Sequence, residues 1–210
     1  MVFFADSDDF FAPYLNTALD KYLDAKADMV FFKYKSVYND TLEPSNRNHR
    51  TLAKIDNAIK KNNLDIIRYK VHIPYCKFIS YENVKKNNIL YDEVMYSNDV
   101  MFALRIGSVS ENITIDESVL YVQTERKGSL MGIIKKESID CRYNVALNAI
   151  QFLKSKNRLK YHPNLFSFCY KYNKVSRKLA VNSFFRSLKN TPIQYWIKDL
   201  YVCFAAIIGR

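Results

Sequence analysis

The feature that most constrains the fold is residues 2–11, whose sequence is VFFADSDDFF. Four apolar residues lead into an acidic loop at residues 6–9, and two aromatic residues follow the loop. This pattern is typical of a short buried strand that ends in an acidic loop. Ligands of open α/β sheets bind at the carboxyl ends of the strands, so we expect the loop to lie at a ligand site.

Within the acidic loop, Asp6 and Asp8 are separated by one residue. Two carboxylates that leave the same strand end can hold a hard divalent cation and leave its other positions to phosphate oxygens and water. The sequence therefore predicts a metal and diphosphate site. The alternative is that the acidic residues cap the helix expected from Pro13, because Asp is favoured at helix N-caps and Pro in the first turn. The motif alone leaves both interpretations open.

The composition favours a folded protein in a reducing compartment. The chain has 210 residues, of which 49% are hydrophobic and 15% aromatic, so it can bury the core of one domain. Its four cysteines are far apart, form no Cys-x-x-Cys pair and do not cluster with the three histidines. This spacing argues against a disulfide framework and against a zinc site.

The charge of the chain points to an anionic partner. The formal net charge is +11, and residues 150–189 contain ten Lys and Arg but no Asp or Glu. The partner could be a phosphorylated substrate, an acidic membrane surface or nucleic acid. We rank nucleic acid last, because the aromatic residues lie in apolar segments and are not interleaved with the basic residues as stacking on single strands requires.

Hydrophobic periodicity predicts alternating helices and strands over most of the chain. The predicted helices cover residues 13–27 and 52–61, and the predicted strands cover residues 28–37, 66–73 and 117–124. From residue 135 onward the pattern is helical, with breaks at Pro163 and Pro192. The sequence thus predicts an α/β domain followed by a helical tail.

Residues 74–107 contain a second candidate catalytic position. Ser80 is predicted to cap a helix over residues 81–86, and Ser97 or Asn98 to cap a second helix with Asp99 in its first turn. The positive end of the helix dipole keeps a carboxylate ionised there, and an ionised, positioned carboxylate is what a general base must be. The alternative is that Asp99 only complements the helix dipole.

The last segment, residues 193–208, has apolar residues at helical spacing. Such a helix packs on the domain, which we favour, or lies in a membrane interface. The sequence contains no apolar run of about 18 residues, and its first residues predict a buried strand and not a secretory leader. We therefore expect a cytoplasmic protein that contacts the inner face of the membrane only peripherally, if at all.

Three stretches within residues 2–131 resemble the family 2 glycosyltransferases with the GT-A fold, particularly bacterial enzymes of surface-polysaccharide synthesis. They are VFFADSDDFFAPYL, PYCKFISYENVKKNNILYDEVMYSNDVMF and VLYVQTERKGSL. They are similar to the family's strand with its Asp-x-Asp, its acceptor segment, and its strand with an Arg-x-x-Ser turn. The resemblance implies part of a GT-A sheet with flanking helices, in which residues 1–134 bind metal and acceptor and residues 135–210 form a basic helical tail.

The same resemblance implies inverting transfer of a sugar from a nucleotide-sugar donor to a saccharide or lipid-linked saccharide acceptor, with Mn²⁺ or Mg²⁺ as cofactor. Asp99 would be the catalytic base, and Asp6 and Asp8 the metal ligands. The donor side would consist of Asp6, Ser7, Asp8, Asp9 and Arg126, and the acceptor side of Lys77 and Asn98.

Family members have a nucleotide-binding half ahead of Asp-x-Asp. We therefore expect this chain to correspond to the later part of a complete enzyme, or to need another polypeptide to complete its site. The alternative function is a non-catalytic protein that binds anionic lipid or a partner enzyme through its basic helices.

Overall fold

The structure is a computed structural model that describes residues 1–126 and 135–208, with side chains up to residue 204. Its described residues form two compact units. The first contains Met1–Asp92 and residues 99–126, and the second contains Glu93–Asn98 and residues 135–208. The first unit is a sheet with flanking helices and the second is helical, so the predicted α/β class is confirmed.

A four-stranded sheet forms the centre of the first unit. The strands are β1 (Phe10–Phe11), β2 (Met29–Tyr38), β3 (Lys77–Ile79) and β4 (Ile113–Glu125). Their order across the sheet is β1-β4-β2-β3. The central strands β2 and β4 are parallel, whereas β1 and β3 run antiparallel to their neighbours.

Five helices complete the first unit: α1 (Leu15–Tyr22), α2 (His49–Lys60), α3 (Leu64–Lys70), α4 (Tyr81–Lys86) and α5 (Asn98–Val109). The apolar sequence of β2 reflects burial on both of its faces, as expected for a central strand. Val30 and Phe32 pack with Ala18 of α1. Met29 lies in a separate apolar cluster with Phe102 of α5.

The strand predicted over residues 66–73 is wrong, because Leu64–Lys70 forms helix α3. The side chain of Asn63 accepts a hydrogen bond from the backbone N–H of Asp65 (3.1 Å) and caps the helix. Arg68 and Lys70 in the last turn complement the helix dipole. A short apolar run fits a buried strand and a buried helix equally well, and here the end residues decide for the helix.

The predicted buried strand at residues 2–5 is also wrong. Only Val2 pairs, through a single antiparallel bridge to Ile79 of β3 with hydrogen bonds of 2.7 and 2.9 Å. Phe3 is exposed, and strand pairing resumes only at Phe10, which pairs with β4 toward the opposite edge of the sheet. Between Val2 and Phe10 the chain passes from β3 to β4, so it cannot continue as a strand along β3. This crossing carries the acidic loop to β4.

Helix α5 is held tightly against α3. A Cβ atom on Gly107 would lie 2.5 Å from the backbone oxygen of Arg68, so only glycine fits at this contact. The Arg68 guanidinium donates hydrogen bonds to the backbone oxygens of Gly107 (3.1 Å), Ser110 and Glu111 (3.1 Å). These contacts fix the helix whose first turn contains Asp99.

The described part of the second unit is helical, as predicted for the chain from residue 135 onward. Its elements are α6 (Lys136–Ser155), a short 3₁₀ turn (Leu159–Tyr161), α7 (Ser167–Asn173), α8 (Arg177–Asn190) and α9 (Ile193–Ile208). Tyr143 of α6 packs with Phe168 and Tyr172 of α7 in its core. Pro163 and Pro192 fall between elements, as predicted. None of the helices among the described residues has both the length and the apolar character needed to cross a bilayer.

Candidate active site

The acidic loop is a tight turn. The backbone N–H of Asp9 donates a hydrogen bond to the backbone oxygen of Asp6 (3.2 Å), which places Ser7 and Asp8 at the centre of the turn. Asp6, Ser7 and Asp8 are exposed, whereas Asp9 is only partly exposed. The four acidic-loop residues therefore lie in two different environments.

Asp9 attaches the turn to β4. Its carboxylate accepts hydrogen bonds from the Tyr121 hydroxyl (2.9 Å) and from the backbone N–H of Thr124 (2.7 Å). The Tyr121 oxygen also accepts a hydrogen bond from the backbone N–H of Asp6 (2.8 Å), and the Thr124 hydroxyl donates to the backbone oxygen of Asp8 (3.0 Å). Both carboxylate oxygens of Asp9 thus have protein partners that hold the loop in position, and its contact with the donor stays a prediction.

Asp6 and Asp8 have far fewer protein contacts. Asp8 Oδ2 lies 3.8 Å from Arg126 Nε, and both side chains are well exposed. Although the residue is exposed overall, partial burial of its carboxylate raises the pKa of Asp6, the nearby carboxylates of Asp9 and Asp8 raise it further, and the charge of Arg47 opposes these effects. Within the described chain, no donor forms a hydrogen bond to the Asp6 carboxylate. The loop therefore presents two mutually repelling carboxylates that a bound cation would stabilise.

These two side chains fit the chemistry of the predicted metal. Carboxylate oxygens are the preferred ligands of hard cations such as Mg²⁺, and the repulsion between Asp6 and Asp8 favours a positive charge beside them. No group of three or more His, Cys, Asp or Glu side chains that could hold a metal ion occurs among the described residues.

Asp99 lies in the first turn of α5, as predicted. Its carboxylate is largely buried, which raises its pKa above the usual range. Hydrogen bonds from its own backbone N–H and that of Val100, together with the charge of Lys77, oppose this effect, and the negative charge of Asp6 adds to it. Asp99 thus caps the helix and also belongs to a group of interacting charges.

Lys77 is buried at the start of β3, with only 2% of its surface exposed. Its Nζ donates a hydrogen bond to the backbone oxygen of Val71 (2.9 Å) and lies 5.4 Å from the centre of the Phe31 ring. Burial lowers the pKa of Lys77 to about 8, although Asp99 partly opposes that change. Lys77 therefore acts on Asp99 through its charge, and its predicted contact with an acceptor stays a prediction.

The fold brings Asp99 within reach of the charges of both Asp6 and Lys77. Tyr91 belongs to the same group. Burial raises its pKa, and the charges of Asp99 and Asp6 raise it further. The Tyr91 ring stacks on Phe102 of α5, with 4.3 Å between the ring centres. The site therefore combines an exposed acidic turn with a largely buried carboxylate, a buried amine and a phenol.

For the remaining predicted site residues, the structure shows fewer contacts with the acidic turn and Asp99. Ser7 and Asn98 are exposed, and their roles at the donor and acceptor stay predictions. In the predicted Arg-x-x-Ser turn, Arg126 is described, whereas Lys127 and Ser129 lie outside the described residues.

Two residues of the site were missed by the sequence analysis. Arg47, in the loop after β2, donates a hydrogen bond to the backbone oxygen of Thr124 (2.8 Å) and lowers the pKa of Asp6 by its charge. Arg47 lies in a polar segment of the sequence, and no pattern there identifies it as a residue of the site. Tyr121 was detectable in principle, because a Tyr within an apolar strand is buried and its hydroxyl then needs a hydrogen-bond partner.

Comparison with known proteins gives a structural likeness only. No protein-family model matches the sequence, and no curated protein matches it. The fold is similar to that of the glycosyltransferase TarS from S. aureus, residues 1–349, in complex with UDP-GlcNAc, with a TM-score of 0.55 and 16% sequence identity. At this sequence identity the likeness shows a shared fold alone.

That match covers 91% of this chain but only 57% of the TarS chain. A second TarS 1–349 structure matches with a TM-score of 0.49 and 16% identity, covering 84% of this chain and 48% of the other. The chain thus spans little more than half the length of the structure that it resembles.

Proposed function

We propose that this protein is a glycosyltransferase of bacterial polysaccharide or lipopolysaccharide synthesis, which moves a sugar from a nucleotide-sugar donor to an acceptor hydroxyl. The observation that carries this proposal is that the acidic turn and Asp99 lie close enough for their charges to interact. The two are far apart in sequence, yet Asp6 and Asp99 lie within electrostatic reach in the first unit. A transferase of this kind needs carboxylates for the donor and for the acceptor at one site.

On the donor side, the proposal assigns Asp6 and Asp8 to a divalent cation, Mn²⁺ or Mg²⁺. Such a cation would neutralise the charge that develops on the departing nucleoside diphosphate. Asp9 keeps the turn in place through Tyr121 and Thr124. A nucleotide-sugar donor is supported by the fold, because TarS, which has a similar fold, binds UDP-GlcNAc.

On the acceptor side, Asp99 removes the proton from the attacking hydroxyl. Its raised pKa makes it a stronger base than an ordinary aspartate, while the two backbone N–H groups and Lys77 favour its ionised form. One base that acts on the acceptor, opposite the departing diphosphate, suits a direct displacement with inversion at the sugar carbon.

The donor assignment can be tested by calorimetric titration of Mn²⁺ into the protein, with and without UDP. We expect weak Mn²⁺ binding alone and tighter binding with UDP, because the diphosphate supplies further oxygen ligands. The Asp8→Ala variant should lose the UDP-dependent binding. Asp20→Ala, which removes an exposed carboxylate on α1, is the matched control and should retain it. Unchanged UDP-dependent binding in Asp8→Ala would contradict the assignment.

A further inference from the structure

Helix α9 has a row of exposed apolar side chains. Ile193, Ile197, Tyr201 and Phe204 have exposed fractions of 73%, 84%, 73% and 61%. They are spaced four, four and three residues apart, so they lie on one face of the helix. We call these four residues the α9 stripe. An apolar row of this size on a protein surface marks an interaction site more often than chance exposure.

The face of α9 away from the stripe is packed against its own unit. Asp199 is buried, and its carboxylate lies 2.8 Å from Nε2 of His162. The backbone oxygen of Asp199 accepts a hydrogen bond from the Asn164 side chain (2.8 Å), and Trp196 Nε1 donates to the backbone oxygen of Thr191 (2.7 Å). These contacts hold the helix in one orientation, with the stripe facing outward.

The second unit, which contains the stripe, is strongly basic. Residues 135–204 contain fourteen Lys and Arg but only three Asp and Glu, whereas residues 1–134 contain seventeen and eighteen. Two of the three acidic side chains contact basic side chains of the same unit, since Asp140 lies 2.6 Å from Lys136 and Asp199 contacts His162. Exposed basic side chains of this unit include Lys154, Lys156, Lys160, Lys174, Arg177, Lys178, Lys189 and Lys198.

We propose that the α9 stripe inserts into the interface of an anionic lipid membrane while the basic side chains of the second unit contact the lipid headgroups. Apolar burial and attraction to anionic lipid are the two terms that bind such helices to membranes. Tyr201 in the stripe suits the headgroup region, because its ring is apolar and its hydroxyl is polar. The inference does not depend on the transferase activity, so either can fail without the other.

Two other occupants fit the surface less well. A second copy of the chain would bring two strongly positive units together, and their repulsion opposes association. Nucleic acid would satisfy the basic side chains but would leave Ile193 and Ile197 in water. An anionic membrane satisfies the charge and the apolar stripe together.

The test is co-sedimentation of the protein with vesicles of phosphatidylcholine alone and with vesicles that also contain phosphatidylglycerol. We expect binding only to the second kind, with weakening as salt is added, because salt screens exposed charges. Equal binding to both kinds of vesicle, or binding without salt dependence, would overturn the proposal.

Two variants with matched exposure locate the contact. Ile197 and Met95 are each 84% exposed and belong to the same unit. Ile197→Gln should weaken vesicle binding by about ten-fold or more, because the lost apolar burial is worth that factor. Met95→Gln should change it less than about two-fold, the size expected of a surface substitution. Lys178→Gln should weaken it by about five-fold, the contribution of one basic residue near an anionic surface.

Equal vesicle binding by Ile197→Gln and Met95→Gln would refute the role of the stripe. Loss of self-association in Ile197→Gln during ultracentrifugation, with vesicle binding unchanged, would assign the stripe to a second copy instead. Circular dichroism verifies the fold of each variant. Tyr201→Ser, at another exposed position of the stripe, provides the same comparison if Ile197→Gln melts at a lower temperature.

Discussion

The carboxylate of Asp9 accepts a hydrogen bond from the backbone N–H of Thr124 at 2.7 Å, and the Thr124 hydroxyl lies 3.2 Å from the same carboxylate oxygen. This contact joins the acidic turn to β4, the strand beside the central strand β2. The Tyr121 hydroxyl donates a hydrogen bond to the other carboxylate oxygen (2.9 Å). Asp9 is therefore the part of the acidic turn that determines where Asp6 and Asp8 lie.

Replacing Asp9 should lower stability more than replacing its neighbour Asp8. Asp9→Ala removes the hydrogen bonds from the Tyr121 hydroxyl and the Thr124 N–H and leaves that N–H without its partner, which typically costs about 1–3 kcal/mol. Asp8→Ala removes an exposed carboxylate whose ion pair with Arg126 is long, and should change the unfolding free energy by at most about 0.5 kcal/mol. Urea denaturation measures both. Equal losses in the two variants would show that Asp9 does not anchor the turn.

Asp99→Asn should abolish most of the turnover in any preparation that transfers sugar, while donor affinity stays the same. The amide is nearly isosteric with the carboxylate but cannot accept the acceptor's proton. General-base catalysis contributes typically about 10² to 10⁴ in rate, so the loss should appear in kcat. If Asp99 only caps α5, the change should instead cost about 0.5–1 kcal/mol of stability and leave turnover nearly intact.

The activity should also depend on pH through Asp99. Burial raises the pKa of this carboxyl above its ordinary value of 3.8, and only the ionised form can act as a base. The wild-type rate should therefore rise with pH over a range that lies above that of an exposed aspartate. A pH profile of kcat with its lower limb at or below pH 3.8 would argue that another group is the base.

Lys77 should make stability depend on pH in the alkaline range. Burial lowers its pKa to about 8 in the folded protein, against 10.5 in the unfolded chain. Between these values the unfolded state binds more protons, so the contribution of Lys77 to stability rises with pH. The penalty for burying its charge is complete below pH 8 and relieved above pH 10.5.

The comparison with Lys77→Met isolates this effect, because other groups that titrate at high pH are common to both proteins. We expect wild type to gain about 3 kcal/mol relative to the variant as the pH rises through this window, since one pKa unit is worth about 1.4 kcal/mol. Chemical denaturation at several pH values measures the difference. A constant difference between the two proteins would mean that Lys77 titrates at its ordinary pKa.

Local patterns in the sequence predicted the parts of the fold that depend on near neighbours. The apolar run of β2, the capping of α4 by Ser80 and the position of Asp99 in the first turn of α5 all appear in the structure. Each follows from residues within a few positions of one another, because periodicity and helix caps are local. The run at residues 66–73 shows the limit of this reasoning, since its apolar pattern fits a strand and a helix.

Which carboxylates of the acidic turn bind β4 and which remain exposed was decided only by the tertiary structure. Asp6, Asp8 and Asp9 are the same residue type within four positions, so no sequence pattern separates them. They differ because Tyr121 and Thr124 of β4 bind one of them. In the sequence Lys77 likewise resembles any other basic residue, and only the packing of the fold buries it within reach of the charge of Asp99. Which side chains meet depends on sheet order and on chain crossings between distant segments, and local sequence does not contain that information.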